Sequence, residues 1–195
     1  MKLYDISQEV FTSVVYPGDA APVCEPVRRM ADGDPYNLTN FSMCAHNGTH
    51  IDAPFHFIRD GKTVDQVTLE RAVGPCRVAA VAGRLTAADV AHILSLAGPD
   101  AGRRIILKGD VTVTSAAATA FAEAGVFLVG VESQSVGEGD VPAEVHRILL
   151  GREVVLLEGL RLDPVAEGNY FLCAAPLSLG GADGAPCRAL LIDSI

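Results

Sequence analysis

Hydrophobic and polar positions follow a different period in the middle of this chain than at its ends. Leu3 to Val10 alternates weakly and Phe11 to Tyr16 is rich in β-branched and aromatic residues, which predicts an opening strand or hairpin. Tyr16-Pro17-Gly18-Asp19 then reads as a turn, and the proline-rich, mixed-charge stretch 20–36 as a loop over a surface or an active-site mouth. Asn37 to Ala45 is a second extended piece. Arg59 to Lys62 is a polar turn, and Cys76 to Val81 a short apolar strand.

From residue 86 the period lengthens. Thr86 followed by Asp89 has the form of an N-cap with an acidic third residue, and Val90, Ile93, Leu94 and Ala97 recur at helical spacing until Gly98 ends the run. Arg104 to Lys108 reads as a strand, Ser115 to Ala124 as an alanine-rich helix stopped by Gly125, and Val126 to Val131 as a buried strand. A helix near Pro142 to Leu150 and a strand over Glu153 to Leu160 follow. The expected fold is α/β: one domain over residues 1–195, β-rich at both ends, with an alternating β-α centre and no repeat or linker to divide it.

Composition narrows the partners. A chain of 195 residues can bury a sizeable core, and 49% hydrophobic residues mark it as globular. The formal charge of −9 offers no basic footprint for nucleic acid and would repel an anionic membrane, which leaves a small-molecule partner. The five cysteines, Cys24, Cys44, Cys76, Cys173 and Cys187, contain no C-x-x-C pair and are odd in number, so reduced thiols in a cytoplasm are expected. Residues 1–10 include Lys2, Asp5 and Glu9 without an apolar h-region, and no run approaches the ~18 apolar residues of a membrane span. Neither export nor insertion is signalled.

Chemistry concentrates between Ala45 and Phe57, where three of the five histidines and an aspartate fall within eleven residues. His46, His50, Asp52 and His56 share even parity, so an extended chain would turn all four to one face. Gly48, Thr49, Ile51 and Pro54 disfavour the competing helix. At about 3.3 Å per residue, His50 and Asp52 have Cα atoms roughly 6–7 Å apart, within reach of one ion. His46 and His56 would be about 33 Å apart on a flat strand, so the chain must bend, and Gly48 and Pro54 are placed to bend it. Imidazole with carboxylate suits zinc, manganese or iron.

Two downstream residues fit the same chemistry. His146 falls beside Val145 with Leu149 and Leu150 three and four positions on, so it shares the apolar side of its helix and points inward. Glu158 ends Val154-Val155-Leu156-Leu157, a run apolar on both faces as a central strand would be. A buried carboxylate needs a partner, and a cation, Arg152 or Arg161 would serve. His92 lies on a helix without acidic companions and reads as structural or surface.

The pattern His46-x-Gly48-Thr49-His50-x-Asp52-x-Pro54-x-His56, with Tyr16-Pro17-Gly18-Asp19 upstream and the His146 to Glu158 spacing downstream, resembles the metal-dependent cyclase family that includes bacterial kynurenine formamidase and isatin hydrolase. The similarity spans nearly the whole chain, through Pro176-Leu177 and Gly184-Ala185-Pro186. It implies a β/β/α fold of the swivelling type, usually in dimers or tetramers. It further implies that His46, His50 and Asp52 hold one metal, that Asp52 bridges to a second held by His146 and Glu158, and that His56 donates and accepts the proton. Formamidases of the family carry tryptophan at the substrate-contacting position of Tyr16, and tend to have aspartate for Glu132 and alanine for Thr49, so the substrate-facing positions differ.

The expected function is metal-dependent hydrolysis of an amide-type bond, a formamide or lactam of an aromatic small molecule, by metal-activated water with His56 as proton shuttle. Zinc is the first choice of ion and manganese the second, with one or two per chain. The alternatives are a catalytically silent metal-binding or regulatory protein, and a cysteine enzyme built on Cys44, which shares parity with His46.

Overall fold

The apolar runs of the alternating centre form the parallel heart of a nine-stranded sheet, and the β-rich ends add antiparallel strands on both sides of it. The computed structural model describes residues 1–137 and 143–193. In chain order the strands are β1 (Lys2–Asp5), β2 (Val23–Arg28), β3 (Leu38–Ser42), β4 (His50–Asp52), β5 (Val73–Ala80), β6 (Gly83–Leu85), β7 (Arg104–Lys108), β8 (Val111–Val113), β9 (Leu128–Gly130), β10 (Val155–Glu158), β11 (Gly168–Cys173), β12 (Gly184–Pro186) and β13 (Leu190–Asp193). The helices are α1 (Ala87–Ala101), α2 (Ser115–Glu123) and α3 (Ala143–Leu150). The sheet order is β1-β13-β11-β5-β7-β9-β10-β4-β12, with β2-β3 and β6-β8 as separate two-stranded pieces.

The sheet is apolar on both faces because both are covered. On one side α1, α2 and α3 bring Val90, Ile93, Phe121, Val145 and Leu149 against Ile105, Leu107, Val129 and Leu156. The other face gathers Ile51, Val78, Ile106, Leu128, Val155 and Leu157 with Leu172 and Leu191, residues from both ends of the strand order, so the sheet curls around this second core. Thr86 caps α1 with a reciprocal pair of bonds to Asp89, and Gly98 (φ 74°, ψ 174°) breaks the helix where the sequence pattern ends it.

Several expected elements differ in extent. The opening strand stops at Asp5 and residues 11–16 make no second strand, because side chains take over the local hydrogen bonding. Gln8 Oε1 accepts from Val14 N, and the Glu9 carboxylate from Thr12 N. The turn at Tyr16 to Asp19 is present, with Asp19 N donating to Tyr16 O and Gly18 at φ 100°. Stretch 20–36 contains a strand: β2 pairs with β3 in an exposed ribbon, whose outer position tolerates Pro26. Pro142 lies outside the described residues, and α3 is seen from Ala143. No described helix is long and apolar enough to cross a membrane.

Candidate metal centre

β4 carries the site. His50 and Asp52 alternate with Ile51, so those two turn toward α3 while Ile51 enters the opposite core. In the antiparallel register Glu158 of β10 stands opposite His50, and Leu156 opposite Asp52. The strand parity and the central position of β10 thus bring Glu158 to the face of His50 and Asp52. Buried His146 of α3 completes the group, with Nε2 3.6 Å from Asp52 Oδ2 and 3.4 Å from Glu158 Oε1.

The two outer histidines arrive through the expected bends. Gly48, at φ 66°, turns the chain before β4, and Pro54 opens a single 3₁₀ turn over Pro54–His56 after it. In place of the long separation of a flat strand, the His46 and His56 rings stack with centroids 4.1 Å apart. His46 Nδ1 reaches Asp52 Oδ1 at 2.7 Å, and His56 lies farther out.

Three sets of donor atoms lie within 4.8 Å of one another: His46, His50 and Asp52; Asp52, His146 and Glu158; and, less buried, His46, His56 and Asp183. Asp52 belongs to the first two, which are the buried ones. The residues fit a cation on two counts. His50 Nε2 and Asp52 Oδ2 are buried and make no hydrogen bond among the described residues, and such orphaned atoms cost about 1–3 kcal/mol each unless something else satisfies them. His50 Nε2 stands 3.4 Å from both Asp52 Oδ1 and Glu158 Oε2, near enough for charge attraction without hydrogen-bond alignment. Its other nitrogen, Nδ1, bonds the Gly48 carbonyl at 3.0 Å, which turns Nε2 toward Asp52 and Glu158.

The electrostatics favour added positive charge. At His46 burial opposes the imidazolium, yet Asp52 and then Asp183 outweigh it and hold the pKa above the usual value. His50 is raised well above its usual value, burial being overcome by Asp52 and Glu158. Asp52 is itself buried, but His46 and His50 keep its carboxyl well below the usual carboxylate range. Glu158 faces His50 and His146, and its Oε1 accepts from Val136 N at 2.7 Å, while the Arg161 guanidinium bonds the Leu160 carbonyl.

Asp183 is the residue that sequence reasoning missed. Its Oδ2 lies 3.0 Å from His46 Nε2 and 3.0 Å from His56 Nδ1. A lone aspartate after Gly180, Gly181 and Ala182 stands at no spacing that ties it to the other donors. Glu132 is structural: its carboxylate accepts from Gly109 N and Leu162 N, joining two loops. Cys44 is no activated nucleophile. Burial first, and the neighbouring Asp19 with it, pushes its thiol pKa up, and its sulfur donates to Asp19 Oδ2 at 3.6 Å. His92 is exposed on α1.

A cavity of about 250 Å³ opens onto the histidines, its mouth framed by Tyr16, Asp19, Phe57, Gln134 and Ser135. Tyr16 is 41% exposed there. Phe57 packs its ring on His146, centroids 4.5 Å apart, and edge-on to His56. The arrangement joins a buried donor cluster, an outer histidine and an aromatic-rimmed opening of small-molecule size.

Comparison with known proteins gives three consistent likenesses. The Cyclase family model matches residues 4–138. The kynurenine formamidase of Salinibacter ruber is 37% identical over 212 aligned positions, covering 100% of this chain and 99% of that protein. A solved structure described as a potential metal-dependent hydrolase with cyclase activity is 31% identical with a TM-score of 0.83, covering 100% of this chain and 98% of its own. Isatin hydrolase A from Labrenzia aggregata superposes with a TM-score of 0.85 over 99% of this chain and 94% of its own, and at 24% identity it shows the shared fold.

Proposed function

The chain belongs to the cyclase family, and on that footing we propose that residues 1–195 act as one hydrolase domain that cleaves the C–N bond of a small aromatic formamide or cyclic amide at a divalent metal centre. The observation that carries the reading is the meeting of two donor sets at Asp52, with His50 Nε2 and Asp52 Oδ2 buried and otherwise unbonded. His46, His50 and Asp52 would hold one ion, and Asp52, His146 and Glu158 a second where two bind. Zinc suits this nitrogen and carboxylate set first and manganese second. An ion bound there supplies Lewis acidity toward the carbonyl and makes water acidic enough to attack near neutral pH.

The chain's own residues do the rest. His56, outside the donor sets that meet at Asp52 and at the cavity edge, takes a proton from the attacking water and returns it to the leaving nitrogen, a task suited to an imidazole near pH 7. Asp183 holds its Nδ1 and leaves Nε2 for that exchange. Tyr16 covers the aromatic part of the substrate at the mouth, in reach of a stacking contact. The kynurenine formamidase likeness favours a formylated aromatic amine over a lactam. Free thiols accord with a reducing cytoplasm. The exposed β2-β3 ribbon, with Val23, Val27, Leu38 and Phe41 outward, and the apolar cavity of about 720 Å³ beside Phe11 and Leu177 offer the surface for a dimer or tetramer.

The test is elemental analysis of purified protein beside formylkynurenine hydrolysis, for wild type and His56→Ala. Turnover should vanish in the variant with metal content intact. Metal content falling with it would make His56 a ligand and overturn the role, and tight metal binding without turnover of any formamide, lactam or ester by wild type would leave a binding protein.

A further inference from the structure

We infer that Asp183 is a positioning residue: one carboxylate oxygen sets the ring orientation of His46 and His56 together, so that the grip on the ion and the placing of the proton carrier depend on a single side chain. The inference rests on the ligand role of His46 and the proton-carrying role of His56 proposed above.

A carboxylate only accepts hydrogen bonds, so both ring nitrogens 3.0 Å from Asp183 Oδ2 must turn their protons toward it. That gives His46 an Nε2–H, while its Nδ1 points into the donor cluster 2.7 Å from Asp52 Oδ1, where by the same rule it carries a proton until a bound ion takes that proton's place. The same oxygen assigns His56 an Nδ1–H and makes Nε2 the basic nitrogen. The rings are then kept at an interplanar angle of 30°, a near-parallel stack that a shared acceptor imposes on both. An outer partner of this kind fixes tautomer and ring direction in metal-binding histidines.

The carboxylate is itself delivered by strand pairing. Asp183 O accepts from Ala53 N at 2.9 Å, and the next residue, Gly184, stands opposite Asp52 in the β12-β4 register. A Cβ on Gly184 would lie 2.7 Å from His46 Cε1, so the imidazole rests on glycine backbone. β12 therefore supplies the floor under the His46 ring, and the residue just before it the acceptor at the ring's edge. With the Asp183 side chain 42% exposed, its loss leaves both cores untouched.

Asp183→Ala and Asp183→Asn decide the matter through three readings: histidine side-chain ¹⁵N NMR on metal-free and zinc-loaded protein, zinc affinity by chelator competition, and kcat and KM on formylkynurenine. In the alanine variant His56 should lose its Nδ1–H tautomer and zinc affinity should fall about 10- to 100-fold. Its kcat should fall about 100-fold, with KM within about two-fold of wild type. Asparagine keeps an acceptor oxygen and should fall between. A preserved His56 tautomer with zinc affinity within about two-fold of wild type in both variants would overturn the inference whatever the activity. If wild type hydrolyses no amide, the functional reading fails on its own, and the NMR and zinc measurements still decide the role of Asp183.

Discussion

The Thr49 hydroxyl donates to the Gly159 carbonyl at 2.7 Å, tying the residue before His50 to the residue after Glu158. The same hydroxyl accepts from Gln8 N at 2.9 Å, so the opening segment closes over the joint. Gly159 sits at φ 71°, and a Cβ there would lie 2.3 Å from Gly48 O, which leaves no room for a side chain where the strands meet. Thr49→Val keeps the shape and orphans Gln8 N. Unfolding in urea followed by circular dichroism should show a loss of about 1–2 kcal/mol with the slope unchanged.

Gly184→Ala places a methyl group 2.7 Å from both His46 Cε1 and Ile51 O. Either the ring or the β4 backbone must move. Zinc affinity should fall at least about ten-fold by chelator competition, accompanied by a stability loss of about 1–3 kcal/mol in the same unfolding measurement. Unchanged zinc binding with the stability loss intact would show that the β4 backbone, not the His46 ring, takes up the displacement.

Because Asp52 belongs to two of the donor sets and His146 to one, substitutions at the two positions should separate in metal stoichiometry. Asp52→Asn should reduce bound metal to near zero by elemental analysis. His146→Ala should retain the ion of the His46 and His50 set, at half the wild-type content if two ions bind. Chelation of wild type should lower the melting temperature, since an ion at 100 times its Kd contributes about 2.7 kcal/mol to the folded state.

Tyr16 lines the same cavity as the histidines and belongs to none of the donor sets. Tyr16→Ala should raise KM for formylkynurenine about three- to ten-fold, the worth of one aromatic contact, with metal content unchanged. Tyr16→Trp should lower it.

Glu153 holds φ 58°, the single positive value outside glycine among the described residues, and bonds Lys62 Nζ at 2.7 Å and Arg71 Nη2 at 3.0 Å. The hydrogen bond from Lys62 outweighs partial burial, and with the charges of Lys62 and Arg71 it keeps the carboxyl below its usual pKa. A depressed folded-state pKa stabilises the fold above the unfolded value of about 4.3 and loses that contribution as pH falls through the folded value. Glu153→Gln should therefore flatten the decline of melting temperature on the acid side of about pH 5, by a fraction of about 1 kcal/mol for so exposed a group.

Legibility followed locality. The Thr86–Asp89 capping box and the end of the helical run at Gly98 are read from neighbours in the chain, and the structure has both. The strand over Arg104–Lys108 appears at its expected bounds. His50 and Asp52 share a face because the period of a strand is two, and Gly48 and Pro54 bend the chain on each side. By contrast, β2 lies in the proline-rich stretch that reads as loop, and β6 and β8 are three residues each, too short to show a period; pairing between separate segments is what makes them strands. The opening segment gives up its expected hairpin because Gln8 spends its amide on Gln134 Oε1, Gly159 O and Val14 N.

The sequence by itself determined five of the donor residues and His56, the common face of His50 and Asp52 on one short strand, and the parallel core that buries Glu158 and His146, since each follows from period and polarity within a few residues. Only the tertiary structure decided that Glu158 stands opposite His50, that β12 pairs along the other side of β4, and that Asp183 thereby meets His46 across 137 positions of chain. Strand register between distant segments is set by the packing of both cores at once, and no local pattern around Asp183 encodes it.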